Sequence, residues 1–231
     1  MPSRKKSCMF GCSFCACVGS LALICVALAT PRWAGSELRF ARAGSNLTVS
    51  LTYGLFRGTC EQFVDLGLQV PKNTFQVSDA LSSSSSSSSR SLNVATIVVL
   101  VLALLSSLLS SAFTCTNAVS NPYQTFLGPV GVYTWNSVCG VLILLAMILF
   151  PVNVEGSRLP VDLVPGGCST QVETHLGSKH SYGYSYWIML LILLLNIASL
   201  TIIYSYDHAT YSKKKEQERP IENAPKDVIL F

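Results

Sequence analysis

Four apolar stretches divide this chain, over residues 8–29, 94–115, 130–152 and 183–206. A helix rises about 1.5 Å per residue and the hydrocarbon layer of a bilayer is about 30 Å thick, so about 20 apolar residues make one crossing. The second stretch contains VATIVVLVLALLSSLLSSAF, with no charge, proline or glycine. The third has VLILLAMILF at its heart, and the fourth contains YWIMLLILLLNIASLTIIY. Unpaired backbone groups are costly in lipid, which leaves the helix as the conformation of all four. The pattern predicts an all-α membrane fold, a four-transmembrane-helix bundle.

A different period occupies the polar segment after the first stretch. Leu47, Val49, Leu51, Tyr53 and Leu55 alternate with Asn46, Thr48, Ser50 and Thr52. Period two over this length predicts a half-buried strand. A strand needs partners, so a small extracellular β-sheet is expected from the first outer loop, lying on the ends of the helices. Further on, Ser82 to Ser89 is an unbroken serine run. Such a run has nothing to bury and reads as a flexible spacer open to O-glycosylation.

Charge sharpens the picture. Asp, Glu, Lys and Arg make up 12% of the chain, against about 25% in an ordinary soluble domain. None of them falls between Ser7 and Pro31, between Ser91 and Val154, or between His180 and Tyr206. This excludes an ordinary soluble enzyme and a disordered tail protein, and the net charge of +4 does not call for nucleic acid as a partner. The basic flanks set the orientation. Arg4-Lys5-Lys6 precede the first span and Lys213-Lys214-Lys215 follow the fourth, so both termini (1–7 and 207–231) are expected in the cytoplasm with the short loop 116–129. Segments 30–93 and 153–182 are then outer loops, and the expected location is the plasma membrane. The triplet Asn46-Leu47-Thr48 is an N-glycosylation sequon in the first outer loop. The first stretch also resembles a signal peptide ending Ala27-Leu28-Ala29, but its length exceeds the usual apolar region of about 7–15 residues, which favours an uncleaved helix.

The chain has 9 cysteines. Cys60 and Cys168 are the pair in the outer loops and are candidates for a disulfide in an oxidising compartment. Cys8 and Cys12 lie beside Arg4-Lys5-Lys6, where S-palmitoylation is one reading and small residues on a helix face the other. Small residues let membrane helices approach. Ser106 and Ser110, and Ser107 and Ser111, form two small-xxx-small pairs, and Asn196 among the leucines of the fourth span reads as interhelical glue. Tyr182, Tyr184, Tyr186, Trp187 and Trp33 read as an interfacial aromatic belt.

Catalytic chemistry finds no constellation to occupy. His175 and His180 are five residues apart, not the four of a helical metal-ligand pair. No charged residue lies inside a span, as an ion or proton relay would require. Neither metal nor cofactor is expected. The tail ends Ile229-Leu230-Phe231, an apolar pattern suited to PDZ-type strand addition.

Several segments resemble the clarin family: Tyr53-Gly54-Leu55-Phe56-Arg57-Gly58, the long run from Asn121 through Asn136, His180-Ser181-Tyr182-Gly183-Tyr184-Ser185, and the Ile229-Leu230-Phe231 tail. The resemblance covers essentially the whole chain. It implies a small four-span membrane glycoprotein of the broad claudin-like and tetraspan-like group, with relatives tied to sensory hair cells, hearing and actin-linked membrane organisation. Claudins carry a G-L-W pattern followed by two cysteines that bridge within the first outer loop. Here Gly54-Leu55-Phe56 stands in its place and Cys60 alone follows, which argues against a claudin-type barrier. The expected role is a non-enzymatic organiser or adaptor, with membrane lipids and other membrane proteins as lateral partners and PDZ or cytoskeletal scaffolds on its tail. An auxiliary subunit of an ion channel or transporter is the alternative, and a lipid-modifying enzyme lacks the acid–base groups it would need.

Overall fold

The computed structural model describes residues 4–42, 45–64, 69–84, 86–119, 128–168 and 174–218. Its elements run α1 (Arg4–Ala29), β1 (Ala34–Arg42), β2 (Ser45–Tyr53), β3 (Arg57–Val64), β4 (Gln69–Gln76), α2 (Val77–Ser83), α3 (Ser87–Val119), α4 (Pro129–Pro151), a π-helical turn (Val152–Gly156), α5 (Leu159–Cys168), β5 (Thr174–Tyr182) and α6 (Tyr184–Glu218).

Among the described residues, four helices are long and apolar enough to cross a membrane: Ser7–Ala29, Ser87–Val119, the continuous Pro129–Gly156, and Tyr184–Ser212. They form a ring in which α1 packs on α3, α3 on α4, α4 on α6 and α6 back on α1. Their outward faces carry exposed aliphatic side chains such as Val101 and Leu105 on α3, Val141 and Ile148 on α4, and Leu194 and Ile197 on α6. Lipid supplies the matching apolar surroundings for these faces. The 33 residues of α3 span about 50 Å, more than the hydrocarbon thickness of about 30 Å, so the helix projects beyond it.

One antiparallel sheet of five strands, in the order β4-β3-β2-β1-β5, caps the end of the bundle where α1 finishes and α6 begins. The alternation in β2 sets its facing: Leu47, Val49, Leu51 and Tyr53 are buried, as are Leu38 and Phe40 opposite them on β1. A slip of one residue would turn all of them to water. Their inward face covers α2, α5 and the π-turn, where Val77, Ala80, Leu81, Val154, Leu159, Leu163 and Val164 complete one core with Phe150 and Ile143 of the bundle.

The structure extends or corrects the sequence expectations at three places. The sheet draws its fifth strand, β5, from segment 153–182, so this segment and segment 30–93 build one cap. The serine run is no spacer: Ser82 and Ser83 finish α2, and Ser87, Ser88 and Ser89 open α3. Ser89 is fully buried, and its hydroxyl donates to the Ser157 carbonyl at 3.0 Å and to the Asp162 carboxylate. Tertiary acceptors outweigh the modest helix propensity of serine here. Trp33 is no member of a lipid-facing belt: it is fully buried beneath the sheet.

Candidate functional site

The sheet meets the bundle at a tight collar. The indole Nε1–H of Trp33 donates to the Ala27 carbonyl at 2.8 Å, and its ring lies 5.0 Å from that of Phe150. The Trp33 backbone N–H donates to Tyr53 O at 3.0 Å, and its own carbonyl accepts from Gly183 N–H at 2.8 Å. Thr30 Oγ1 donates to Ser185 Oγ at 2.7 Å. One point thus ties the ends of α1, β2 and β5 to the start of α6. Two glycines allow it. A Cβ on Gly54 would stand 2.7 Å from Thr30 O, and one on Gly183 would stand 2.2 Å from Arg32 O. Tyr184 and Trp187, by contrast, are about half exposed at this level, as a belt requires.

The far side of the cap is held covalently. A disulfide joins Cys60 on β3 to Cys168 at the end of α5, with Cα atoms 5.7 Å apart and a sequence separation of 108. Beside it, Gln62 Nε2 donates to Cys168 O at 2.8 Å and Asn73 Nδ2 to Gly167 O at 3.0 Å. Asn93 Nδ2 of α3 reaches Leu55 O at 3.3 Å, and Asn153 Nδ2 reaches Ser89 O at 3.2 Å. These amides tie β3, β4, α3 and the π-turn to backbone carbonyls of neighbouring segments.

A cleft of about 490 Å³ opens between β5 and the π-turn, lined by Val154, Glu155, Arg158, Val161, His175 and His180. Within it His180 Nδ1 pairs with Ser36 Oγ at 2.9 Å, and Ser36 pairs with the Tyr53 hydroxyl at 3.1 Å. Burial pushes the Tyr53 phenol far above its ordinary range and holds the His180 imidazole below its own. Tyr182 donates to Glu155 Oε1 at 2.7 Å; burial and this carboxylate both raise its phenol. His175 stacks edge-on to Phe40 at 5.5 Å. The two histidines therefore serve different contacts, and the described residues hold no group of three or more His, Cys, Asp or Glu that could bind a metal.

Inside the bundle runs a seam of neutral polar groups contributed by all four spans. Ser13 Oγ and Ser199 Oγ lie 2.6 Å apart, and Asn136 Nδ2 donates to Ser199 Oγ at 3.0 Å. Cys17 Sγ lies 3.4 Å from Ser199 Oγ and 3.6 Å from Ser110 Oγ. Ser106 and Ser111 are buried but return their hydroxyls to Leu102 O and Leu108 O of their own helix, and Ser107 is buried with them. Asn196 donates first to Ile192 O, at 3.1 Å, with Ser20 Oγ and Cys139 Sγ at 3.5 and 3.6 Å. The strongest cross-helix amide is thus Asn136, which is absent from the sequence-based candidates for helix packing. Its signal is present in the chain, as an amide seven residues into an apolar span.

The remaining candidates are spread apart. Cys8 and Cys12 lie exposed on α1, as does Cys15, while Cys17 and Cys139 are buried. Asn46 belongs to β2, its backbone paired with that of Ala41 on β1. Residues 121–127 of the resembling segment and the tail residues Ile229, Leu230 and Phe231 lie outside the described residues.

A ring of four spans with a neutral polar interior, capped by a disulfide-tied sheet, defines a multi-pass membrane protein. Residues 5–203 match the family model described as Clarin-2-like. The chain is 45% identical to human Clarin-3 over 231 residues, covering 100% of both chains. It is 44% identical to mouse Clarin-3 and 45% identical to rat Clarin-3. The mouse match also covers 100% of both chains. The chain belongs to the clarin family.

Proposed function

We propose that this protein is a non-enzymatic organiser of the plasma membrane, with both termini in the cytoplasm and the sheet outside the cell. Full-length similarity to clarins carries the reading, and the seam supports it. Its groups (serine, cysteine, asparagine) are bonded to one another, a construction for holding helices together rather than moving protons. The Cys60–Cys168 disulfide supports an outside location for the cap, because such bridges persist in oxidising compartments. The basic flanks at Arg4-Lys5-Lys6 and Lys213-Lys214-Lys215 support cytoplasmic termini. On this reading Asn46 carries an N-glycan, Cys8 and Cys12 are acylated at the inner leaflet, and the exposed helix faces meet lipids and other membrane proteins. The Ile229-Leu230-Phe231 tail engages PDZ-type or cytoskeletal scaffolds.

Proximity labelling from the C-terminal region, with and without Leu230 and Phe231, tests this. Cytoskeletal scaffolds should dominate the intact neighbourhood and vanish from the truncated one. Channel or transporter subunits as dominant neighbours, unchanged by truncation, would replace the organiser with an auxiliary subunit. Protease treatment of sealed vesicles should clip both termini from the cytoplasmic side, and Asn46→Gln should increase gel mobility.

A further inference from the structure

We propose that the groove between the α2–α3 corner and the lipid-facing side of α3 binds a phospholipid of the leaflet on the sheet's side, with its phosphate at Arg90 and an acyl chain along Val94 and Val98. The groove encloses about 580 Å³ and is lined by Leu81, Ser84, Ser87, Arg90, Val94 and Val98, among others. Its two ends differ chemically. Arg90, Val94 and Val98 follow at intervals of four, which places them along one side of α3. Val94 and Val98 are each about half exposed, and the apolar surface continues through Val101 and Leu105 into the span. The lower wall of the groove is therefore continuous with the surface that lipid covers.

The upper end is cationic and hydroxylated. Arg90 is exposed and has no hydrogen bond or ion pair with any described residue. Neither acid near the corner pairs with it: Asp79 accepts from Ser78, and Asp162 accepts from Ser89. The first turn of α3 adds backbone N–H groups with no intrahelical acceptor, and the positive end of the helix dipole. Arg90 stands one turn, about 6 Å, above Val94. A headgroup phosphate sits in the same relation to the first methylenes of its acyl chains. Free phosphate would leave the valines unused, and a sterol hydroxyl could accept from the guanidinium but would leave its charge without a counter-ion.

The full chain in nanodiscs of phosphatidylcholine, with a trace of phosphatidylcholine carrying a diazirine high on one acyl chain, tests the site. Illumination, digestion and mass mapping should concentrate adducts on residues 81–98. Arg90→Gln should lower them at least threefold, Arg90→Lys should retain most of them, and Ala95→Trp, which fills the groove, should lower them independently. Val141→Trp on the exposed face of α4 should leave them unchanged. Adducts spread over the exposed faces of α3, α4 and α6 alike would overturn the proposal as bulk bilayer contact. Equal labelling in wild type, Arg90→Gln and Ala95→Trp would overturn it too. A photoreactive sterol that labels 81–98 and displaces the phospholipid regardless of Arg90 would also overturn it, in favour of a sterol groove.

Discussion

The cap and the bundle of this clarin are held together by opposite kinds of contact. In the cap, period-two side chains bury one face of a sheet, backbone ladders satisfy the strands, and a disulfide joins parts 108 residues apart. In the bundle, lipid is as apolar as the leucines it meets, so burial drives little association. Close approach and modest hydrogen bonds must do so. The lesson is that breaking a covalent or close-packed contact of the cap should cost much and breaking a hydrogen bond of the seam little, although core residues of both regions are buried.

The largest effect is expected from the disulfide. Closing a loop of this length is worth about 4–5 kcal/mol in the chain-entropy account. Here the loop contains α3 and α4, which lipid already confines, so the expected loss is about 2–3 kcal/mol. Replacing Cys60 and Cys168 together by serine should speed hydrogen exchange of β3, β4 and α5 amides by about 30–150-fold, by the usual conversion of free energy to equilibrium constant. Amides in the middle of α3 should not change. Equal acceleration in both regions would show that cap and bundle unfold as one unit.

Next comes the collar between them. A Cβ on Gly183 would meet the Arg32 carbonyl at 2.2 Å, a backbone atom that cannot swing aside. Gly183→Ala should cost about 1–3 kcal/mol, the range for forced overpacking. Gly140→Ala on α4 is the control, because a Cβ there meets nothing within 4 Å. Thermal unfolding in detergent should separate the two variants clearly, and a tolerated Gly183→Ala would mean that the collar is looser than its hydrogen bonds imply.

The seam should respond weakly. Asn136→Leu removes the 3.0 Å bond to Ser199, and such bonds in membranes average about 0.6 kcal/mol with a ceiling near about 1.7. Steric trapping in a bilayer can measure a loss of this size. A loss well beyond that ceiling would show that Ser13, Cys17, Asn136 and Ser199 act as one cooperative network and that bundle and cap differ less than their contacts suggest.

The spans were readable because bilayer thickness imposes one length on every crossing. β2 was readable because one face is core and the other is not. The other strands were hidden for identifiable reasons. β3 mixes Arg57, Glu61 and Gln62 with Cys60, and β5 reads THLGSKHSY with almost no apolar face. Both are held by neighbours rather than by their own pattern. The serine run misled because composition records what a segment lacks, whereas Ser89 is placed by the acceptors Ser157 and Asp162. Trp33 misled for a similar reason. A tryptophan one turn beyond a span is ordinarily at the lipid interface, and only the fold reveals the sheet above it. In the seam, sequence singled out the four serines of α3 and Asn196, yet the shortest cross-helix bonds belong to Ser13, Asn136 and Ser199. Small-xxx-small spacing shows which face can pack, but not which partner a hydroxyl selects over its own carbonyl at i−4.

The smallest predicted effect lies in the cap and tests whether its polar contacts hold as firmly as its covalent one. Burial holds the His180 imidazole below its ordinary value, and His175 pushes in the same direction while Glu155 opposes both. As pH falls through about 6.5, the unfolded chain takes up a proton at this position that the folded chain resists. Stability contributed by the neutral, Ser36-bonded ring is therefore fully present above that pH and declines below it, until the folded protein too is protonated. His180→Asn keeps a hydrogen-bonding group near the Nδ1 position without titrating, and it should flatten the decline of β1 and β5 amide protection between about pH 7.5 and about pH 5.5, the range around the ordinary histidine value. Glu155→Gln removes the opposing charge and should steepen it. If both variants follow the wild-type profile, the His180–Ser36 contact exchanges freely with water, and the firmness of the cap rests on its ladders and its disulfide alone.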